Sequence, residues 1–244
     1  MTRHCRRVLL SCQAMKKEFD RFYSSASSKS VALPFAVPPP DESEIPPLEA
    51  LRKTYDLPER FFYVPNQFWA HKNHELIIRA LEILVKRGES VFVVSTGSTY
   101  DYRKRSYFQE IKALLDTSPA QSHFRVLGNV PRSDVLGLAK ACVAMINPSF
   151  YEGWSTSVEE AKSMGKTILL SNIAVHKEQA PVRGLFFDPR NAEELAEVLL
   201  KTWTGYSVEG EAQWVASARA DAIRRLRSYA AAYQDIVERT LDHR

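Results

Sequence analysis

Two glutamates, Glu152 and Glu160, stand eight positions apart on either side of Gly153-Trp154-Ser155-Thr156-Ser157. The turn is small and rich in hydroxyls. An apolar run at 143–146 precedes it and reads as a strand. A helical pattern at 158–164 follows it. A strand that ends in a turn and feeds a helix N-terminus is a natural anion site, because unpaired amides and the helix dipole point out of it. Two carboxylates framing such a turn would suit a ligand that carries hydroxyls as well as phosphates. A nucleotide sugar has both.

Each residue also has a plain structural reading. Ser157-x-x-Glu160 fits a capping box, in which the glutamate only closes the helix N-terminus. Glu152 reads equally as a solvated loop carboxylate, and Ser155, Thr156 and Ser157 as caps. Lys72, in Gln67-Phe68-Trp69-Ala70-His71-Lys72-Asn73-His74, also follows a strand and opens a helix. A cation there reaches a phosphate bound at the strand ends; the alternative is an exposed lysine. His71 and His74 are three apart, but no third ligand lies nearby, so no metal site is expected. Gly97 and the run Gly128-Asn129-Val130-Pro131 are further post-strand turns.

These turns need a scaffold, and the pattern supplies one. Strand-like runs at 60–64, 91–95, 124–127, 143–146, 168–171 and 185–187 alternate with helical runs at 73–87, 104–115, 134–141, 158–164 and 192–203. The alternation predicts an α/β fold, a doubly wound Rossmann-like parallel sheet covered on both faces. Ligands of such sheets bind at the carboxyl ends of the strands. Upstream, 8–12 reads as a strand, 13–23 as a helix with Met15, Phe19 and Phe22 on one face, and 31–37 as a strand. Five prolines within 38–47 predict a stiff, extended linker with no packed structure of its own. The tail from 213 to 241 reads as a long helix with an apolar stripe of Ile223, Leu226, Ala230, Tyr233 and Val237. Arg219, Arg224, Arg225 and Arg227 form its basic, solvated side. The expected units are 1–37, the linker 38–48, the Rossmann-like domain 49–206 and the helical segment 207–244.

Composition sets outer bounds. With 45% apolar and 25% charged residues, the 244-residue chain is ordinary for a globular protein. A net charge of +4 is too small to argue for nucleic acid. Apolar runs are too short to span a bilayer, and the apolar stretch after the basic N-terminus is too short for a signal peptide. Cys5, Cys12 and Cys142 are odd in number and scattered, which fits neither a disulfide framework nor a zinc site. The expected compartment is the cytoplasm, with peripheral contact at the inner membrane face left open.

The run Pro148-Ser149-Phe150-Tyr151-Glu152-Gly153-Trp154-Ser155-Thr156-Ser157-Val158-Glu159-Glu160-Ala161 resembles the Glu-x7-Glu signature of retaining GT-B glycosyltransferases of family 4, the glycosyl transferases group 1. The segment 64–74 is similar to that family's first strand-turn-helix, and Leu127-Gly128-Asn129-Val130-Pro131 to its base-contacting loop. The resemblance implies a retaining hexosyltransferase with a nucleotide-diphosphate sugar as donor and neither cofactor nor metal. Glu160 would accept hydrogen bonds from the ribose. Glu152 would orient the donor sugar and stabilise positive charge at its anomeric carbon. Lys72 would neutralise the leaving diphosphate, and Gly153, Trp154, Ser155 and Thr156 would present the donor loop's amides. Gln67, Gly97, Val130 and Pro131 would complete the donor site.

Three departures from the family pattern stand out. The usual Gly-Leu-Pro is Ser155-Thr156-Ser157, which would shape the loop for a different sugar. The arginine five residues before the lysine is Gln67. Residues 8–37 resemble only the end of the acceptor domain, so most of that domain is expected to be missing. The implied function is therefore a donor domain that serves an unknown saccharide or glycolipid acceptor in polysaccharide biosynthesis, with a separate acceptor-domain chain as a candidate partner. Two alternatives remain open at this stage. One is a non-catalytic nucleotide-sugar-binding module or inactive truncated enzyme. The other is an epimerase of the same architecture, disfavoured by the glutamate spacing.

Overall fold

A computed structural model describes residues 4–242. Its larger sheet has six parallel strands: β3 (Phe62–Val64), β4 (Val93–Ser95), β5 (Phe124–Val126), β6 (Met145–Asn147), β7 (Ile168–Ser171) and β8 (Gly184–Phe187), in the order β5-β4-β3-β6-β7-β8. A second, two-stranded parallel sheet joins β1 (Val8–Leu10) to β2 (Ser30–Ala32), with α1 (Gln13–Phe22) between them. The doubly wound α/β expectation is met, and every strand predicted in 60–187 is present, with ends that agree to within two residues.

The sheet forms because its strands are apolar on both faces, as buried parallel strands must be. Phe62 and Val64 enter one core, which they share with α3 (His74–Lys86), α4 (Tyr107–Asp116) and α8 (Ala192–Thr204). Phe61, Tyr63, Met145 and Leu170 enter the other, against α5 (Arg132–Ala141) and α6 (Thr156–Met164). The three aromatics among them, Phe61, Phe62 and Tyr63, are at most 2% exposed. At roughly 2–3 kcal/mol per fully buried aromatic, such side chains hold the rim above them in place.

Several local expectations change. The proline-rich stretch holds a 3-10 turn at Glu42–Glu44, and Ile45 packs on the second core. One apolar residue among the prolines is enough to pin the linker down. Helix α2 (Leu48–Tyr55), not foreseen, follows at once. Helix α7 (Ala174–Gln179) was also missed, since six residues are too few to show a helical period.

The tail is a 35-residue helix, α9 (Val208–Asp242), that packs on α6. Its expected apolar stripe does not lie in a core: Ile223, Tyr233 and Val237 are exposed, and the buried residue is Ala222. Gly165 ends α6 in a left-handed conformation (φ 69°), and a Cβ there would lie 2.8 Å from the Trp214 carbonyl oxygen, so glycine lets α9 approach.

Candidate functional site

The chain runs outward from β3 to β4 to β5, then returns to place β6 on the other side of β3. The loops after β3 and β6 therefore leave the sheet at its topological switch point, and the crevice at the carboxyl edge of such a point is where doubly wound sheets take ligands. Lys72 lies on the β3 side, at the end of a 3-10 turn (Ala70–Lys72). Glu152 lies on the β6 side. They meet across the crevice: Lys72 Nζ donates to Glu152 Oε1 at 2.6 Å, with only 13% and 9% of the two side chains exposed.

Strand β6 ends in Asn147, which sequence reasoning passed over. Its Nδ2 donates to Ser155 Oγ (2.8 Å), Ser157 Oγ (3.3 Å) and Glu152 Oε1 (3.4 Å). Its Oδ1 accepts from Ser149 Oγ (2.6 Å) and Asn66 Nδ2 (3.4 Å). The Ser149 hydroxyl is also 2.7 Å from Glu152 Oε1. The available signal was a polar residue closing an apolar strand, buried to 0% exposure. Burial by itself would raise the Glu152 carboxyl, but the Lys72 ammonium and the hydrogen bonds from Lys72 and Ser149 outweigh it and hold the group below its ordinary value.

Glu160 faces the same rim from the second turn of α6. Its Oε1 accepts from Arg132 at the start of α5, a residue the sequence reading did not name. The capping-box reading fails: α6 starts at Thr156, so Ser157 lies inside the helix and its hydroxyl turns to Asn147. Ser155 takes the N-cap place, and no side chain caps the helix. The first amides of α6, from Thr156 to Val158, thus have no intrahelical acceptor. Of the three hydroxyls in place of the family's Gly-Leu-Pro, Ser155 and Ser157 are tied inward, and exposed Thr156 alone faces out. The Ser155 amide is engaged by Gln179 Oε1 at 3.3 Å.

The remaining candidates lace the rim together. Gln67 Oε1 accepts from the Ser98 amide at 2.5 Å. Gly97 donates its amide to Gly128 O at 2.8 Å, and at φ 134° a Cβ there would be 2.6 Å from the Asn66 carbonyl oxygen. Val130 is half-buried and Pro131 exposed at the start of α5. The Phe150 amide donates to His71 O at 2.8 Å, which joins the β6 turn to the β3 turn. Gly153 and Trp154 face the small sheet: Ser11 Oγ donates to Gly153 O (2.9 Å), and Trp154 Nε1 to Phe35 O (2.9 Å). His74 is stacked on Phe68 at 4.1 Å in the core, and burial pushes its pKa down to about 3. Among the described residues, no three His, Cys, Asp or Glu side chains gather as metal ligands.

A polar crevice at a switch point, with two carboxylates and a buried lysine, suits a ligand that bears hydroxyls and phosphate. The family model for glycosyl transferases group 1 matches residues 49–221. The chain belongs to the glycosyl transferases group 1. It is 30% identical over 89 residues to the O-antigen chain mannosyltransferase B of Escherichia coli, a match that covers 36% of this chain and 23% of that protein. A glycosyltransferase from Rickettsia africae superimposes with TM-score 0.81 at 22% identity, covering 97% of this chain and 64% of its own. Anabaena Alr3699/HepE, solved in complex with UDP, superimposes with TM-score 0.77 at 18% identity over all of this chain and 65% of its own. This group 1 chain has the architecture of the C-terminal Rossmann-like half of a GT-B glycosyltransferase, and it spans under two thirds of the length of these relatives. No described helix is long and apolar enough to cross a membrane.

Proposed function

We propose that the crevice is the donor site of a glycosyltransferase and binds a nucleotide-diphosphate sugar. The observation that carries the reading is the buried Lys72–Glu152 pair, set across the switch point beside the uncapped end of α6. Lys72 and the amides from Thr156 onward are suited to the diphosphate, where negative charge grows as the glycosidic bond to phosphate breaks. Glu152 is suited to the sugar hydroxyls and to positive charge developing at the anomeric carbon. Glu160 is suited to the ribose, which would replace Arg132 as its partner. Gln67, Gly97, Val130 and Pro131 border the space left for phosphate and base. Retention of anomeric configuration belongs to this proposal through the resemblance of the Glu-x7-Glu run. So does the supply of an acceptor-binding half by further chain or by a separate partner.

The test is calorimetry of the chain against UDP-, GDP- and ADP-sugars. One of the three is expected to bind, and Glu160→Ala is expected to weaken it at least about tenfold through loss of a charged hydrogen bond. Binding by none, or unaltered binding to Glu160→Ala, rules the site out. Slow hydrolysis of the donor that disappears in Glu152→Gln would separate an enzyme from a passive binding module, and epimerisation of the free donor would replace transfer.

A further inference from the structure

Glu159 sits next to Glu160 but turns the opposite way, into the protein, where it is fully buried. Its Oε1 accepts from Lys162 Nζ and from Gln179 Nε2, both at 3.1 Å. Its Oε2 accepts from Arg225 Nη1 of α9, 66 positions along the chain. Arg225 is held in turn by Asp221, whose Oδ2 accepts from Arg225 Nε at 2.7 Å. The sequence reading placed Arg225 on a solvated basic face. The structure corrects that: an unpaired carboxylate at this depth would be costly, so the arginine folds inward to meet it.

Gln179 closes the chain of contacts. Its Nε2 donates to Ser155 O at 2.9 Å, and its Oε1 accepts from the Ser155 amide at 3.3 Å. One side-chain amide thus grips both backbone polar groups of the residue at the head of the donor turn. The grip works in one orientation only. A carboxylate accepts and cannot donate, so Glu159 requires the NH2 of Gln179 to face it. That leaves Oε1 for the Ser155 amide.

We infer that Arg225, Glu159 and Gln179 are positioning residues that set the Ser155 turn, and with it the free amides of α6, from the far side of the helix. The C-terminal helix thereby takes part in the donor site without touching the crevice. None of the three residues is expected to contact the ligand, since Glu159 and Gln179 are at most 2% exposed and lie on the inner side of α6.

The test uses the whole chain in two arms. In the first, amide hydrogen exchange is followed by mass spectrometry without ligand. Glu159→Gln offers an NH2 to Gln179 and turns its amide over, so exchange across 153–158 is expected to speed up while the core helix α3 keeps its protection. Glu159→Gln with Gln179→Glu restores an acceptor to the Ser155 amide but leaves the Ser155 carbonyl without its donor, and it is expected to recover only part of the protection. Gln179→Leu removes the grip and leaves the ion pairs in place, so it serves if the charge variants fold poorly. In the second arm, which rests on the nucleotide-sugar reading, UDP is compared with UMP, GDP with GMP and ADP with AMP. Glu159→Gln and Gln179→Leu are expected to weaken the diphosphate about tenfold and to leave the monophosphate of the same base unchanged, because the terminal phosphate is the group that meets the turn. Unchanged exchange at 153–158 in folded Glu159→Gln and Gln179→Leu overturns the inference. So does an equal loss for monophosphate and diphosphate. If the wild-type chain binds no nucleotide, the functional reading fails, and the exchange arm alone decides the positioning role.

Discussion

The two glutamates of the crevice are held in opposite ways. Glu152 and its lysine are both withdrawn from solvent, and Ser149 and Asn147 add donors to the same carboxylate oxygen. Glu160 is as deeply set, but its arginine is 60% exposed. A buried pair is a fixed part of the fold, since removing one partner strands the other charge. A pair with an exposed cation is screened and yields readily. The difference divides one site into a rigid side, at the turns after β3 and β6 up to the first amides of α6, and a yielding side where Arg132 meets Glu160. Under the proposed function, the rigid side takes the diphosphate and sugar, and the yielding side opens to the ribose.

Breaking the rigid side should have the largest effect. Glu152→Ala leaves Lys72 buried without a counter-ion and is expected to cost about 3–5 kcal/mol in urea unfolding. Glu160→Ala is expected to cost less than that, because its cation returns to water. The contrast has a pH form. The Glu152 value is depressed in the folded state, so its stabilisation is present above the ordinary carboxylate range and is lost as pH falls through the depressed value. His74 acts earlier on the same titration: it stays neutral when folded down to about pH 3, so stability declines as pH drops below its ordinary value of 6.5. The wild-type curve minus that of Glu152→Gln should therefore keep only the lower, carboxylate part of the loss. A difference that begins near pH 6.5 would mean that the pair is not what holds the rigid side.

Asn147→Ala tests whether the rigidity extends into the turn. It removes donors to two serines and leaves Ser149 with one acceptor fewer, and a loss of about 2 kcal/mol is expected by chemical unfolding. Arg132→Ala should have the smallest effect, within about 0.5 kcal/mol of wild type in stability. Its signature is in binding: with a competitor for Glu160 gone, the selected nucleoside diphosphate is expected to bind about two- to threefold more tightly by calorimetry. A stability loss as large as that of Glu152→Ala would erase the contrast between the two sides.

Much of this was legible in the sequence. Alternating apolar strands and helices fixed the sheet, and glycines and hydroxyls after each strand marked the rim. Lys72 and Glu152 both stand out in the sequence as charged residues in post-strand turns, though nothing in it pairs them. What spacing could not resolve was direction. Glu159 and Glu160 are adjacent, so pattern alone could not say which one enters the protein; a capping motif drew attention to the wrong serine. Arg132 and Gln179 were missed, and Arg225 was assigned to solvent, for a shared reason. Each acts through a partner brought close only by the fold, and Gln179 stands on a helix too short to announce itself. The α9 stripe misled because helical period predicts a shared face, whereas cover depends on what lies opposite.

The indole of Trp154 has one further consequence. It leaves the donor turn, donates to the Phe35 carbonyl and rests edge-on against the Phe35 ring at 6.4 Å, while Ser11 holds the neighbouring Gly153 carbonyl. Glu178 completes the tether by accepting from the Gln13 and Ala14 amides at the start of α1. The small sheet is thus stitched to the donor turn by Ser11 and Trp154, and the helix between its strands is stitched to α7 by Glu178. Any swing of the sheet relative to the turn must either drag the turn with it or tear the indole loose, so the surroundings of Trp154 change when the two part.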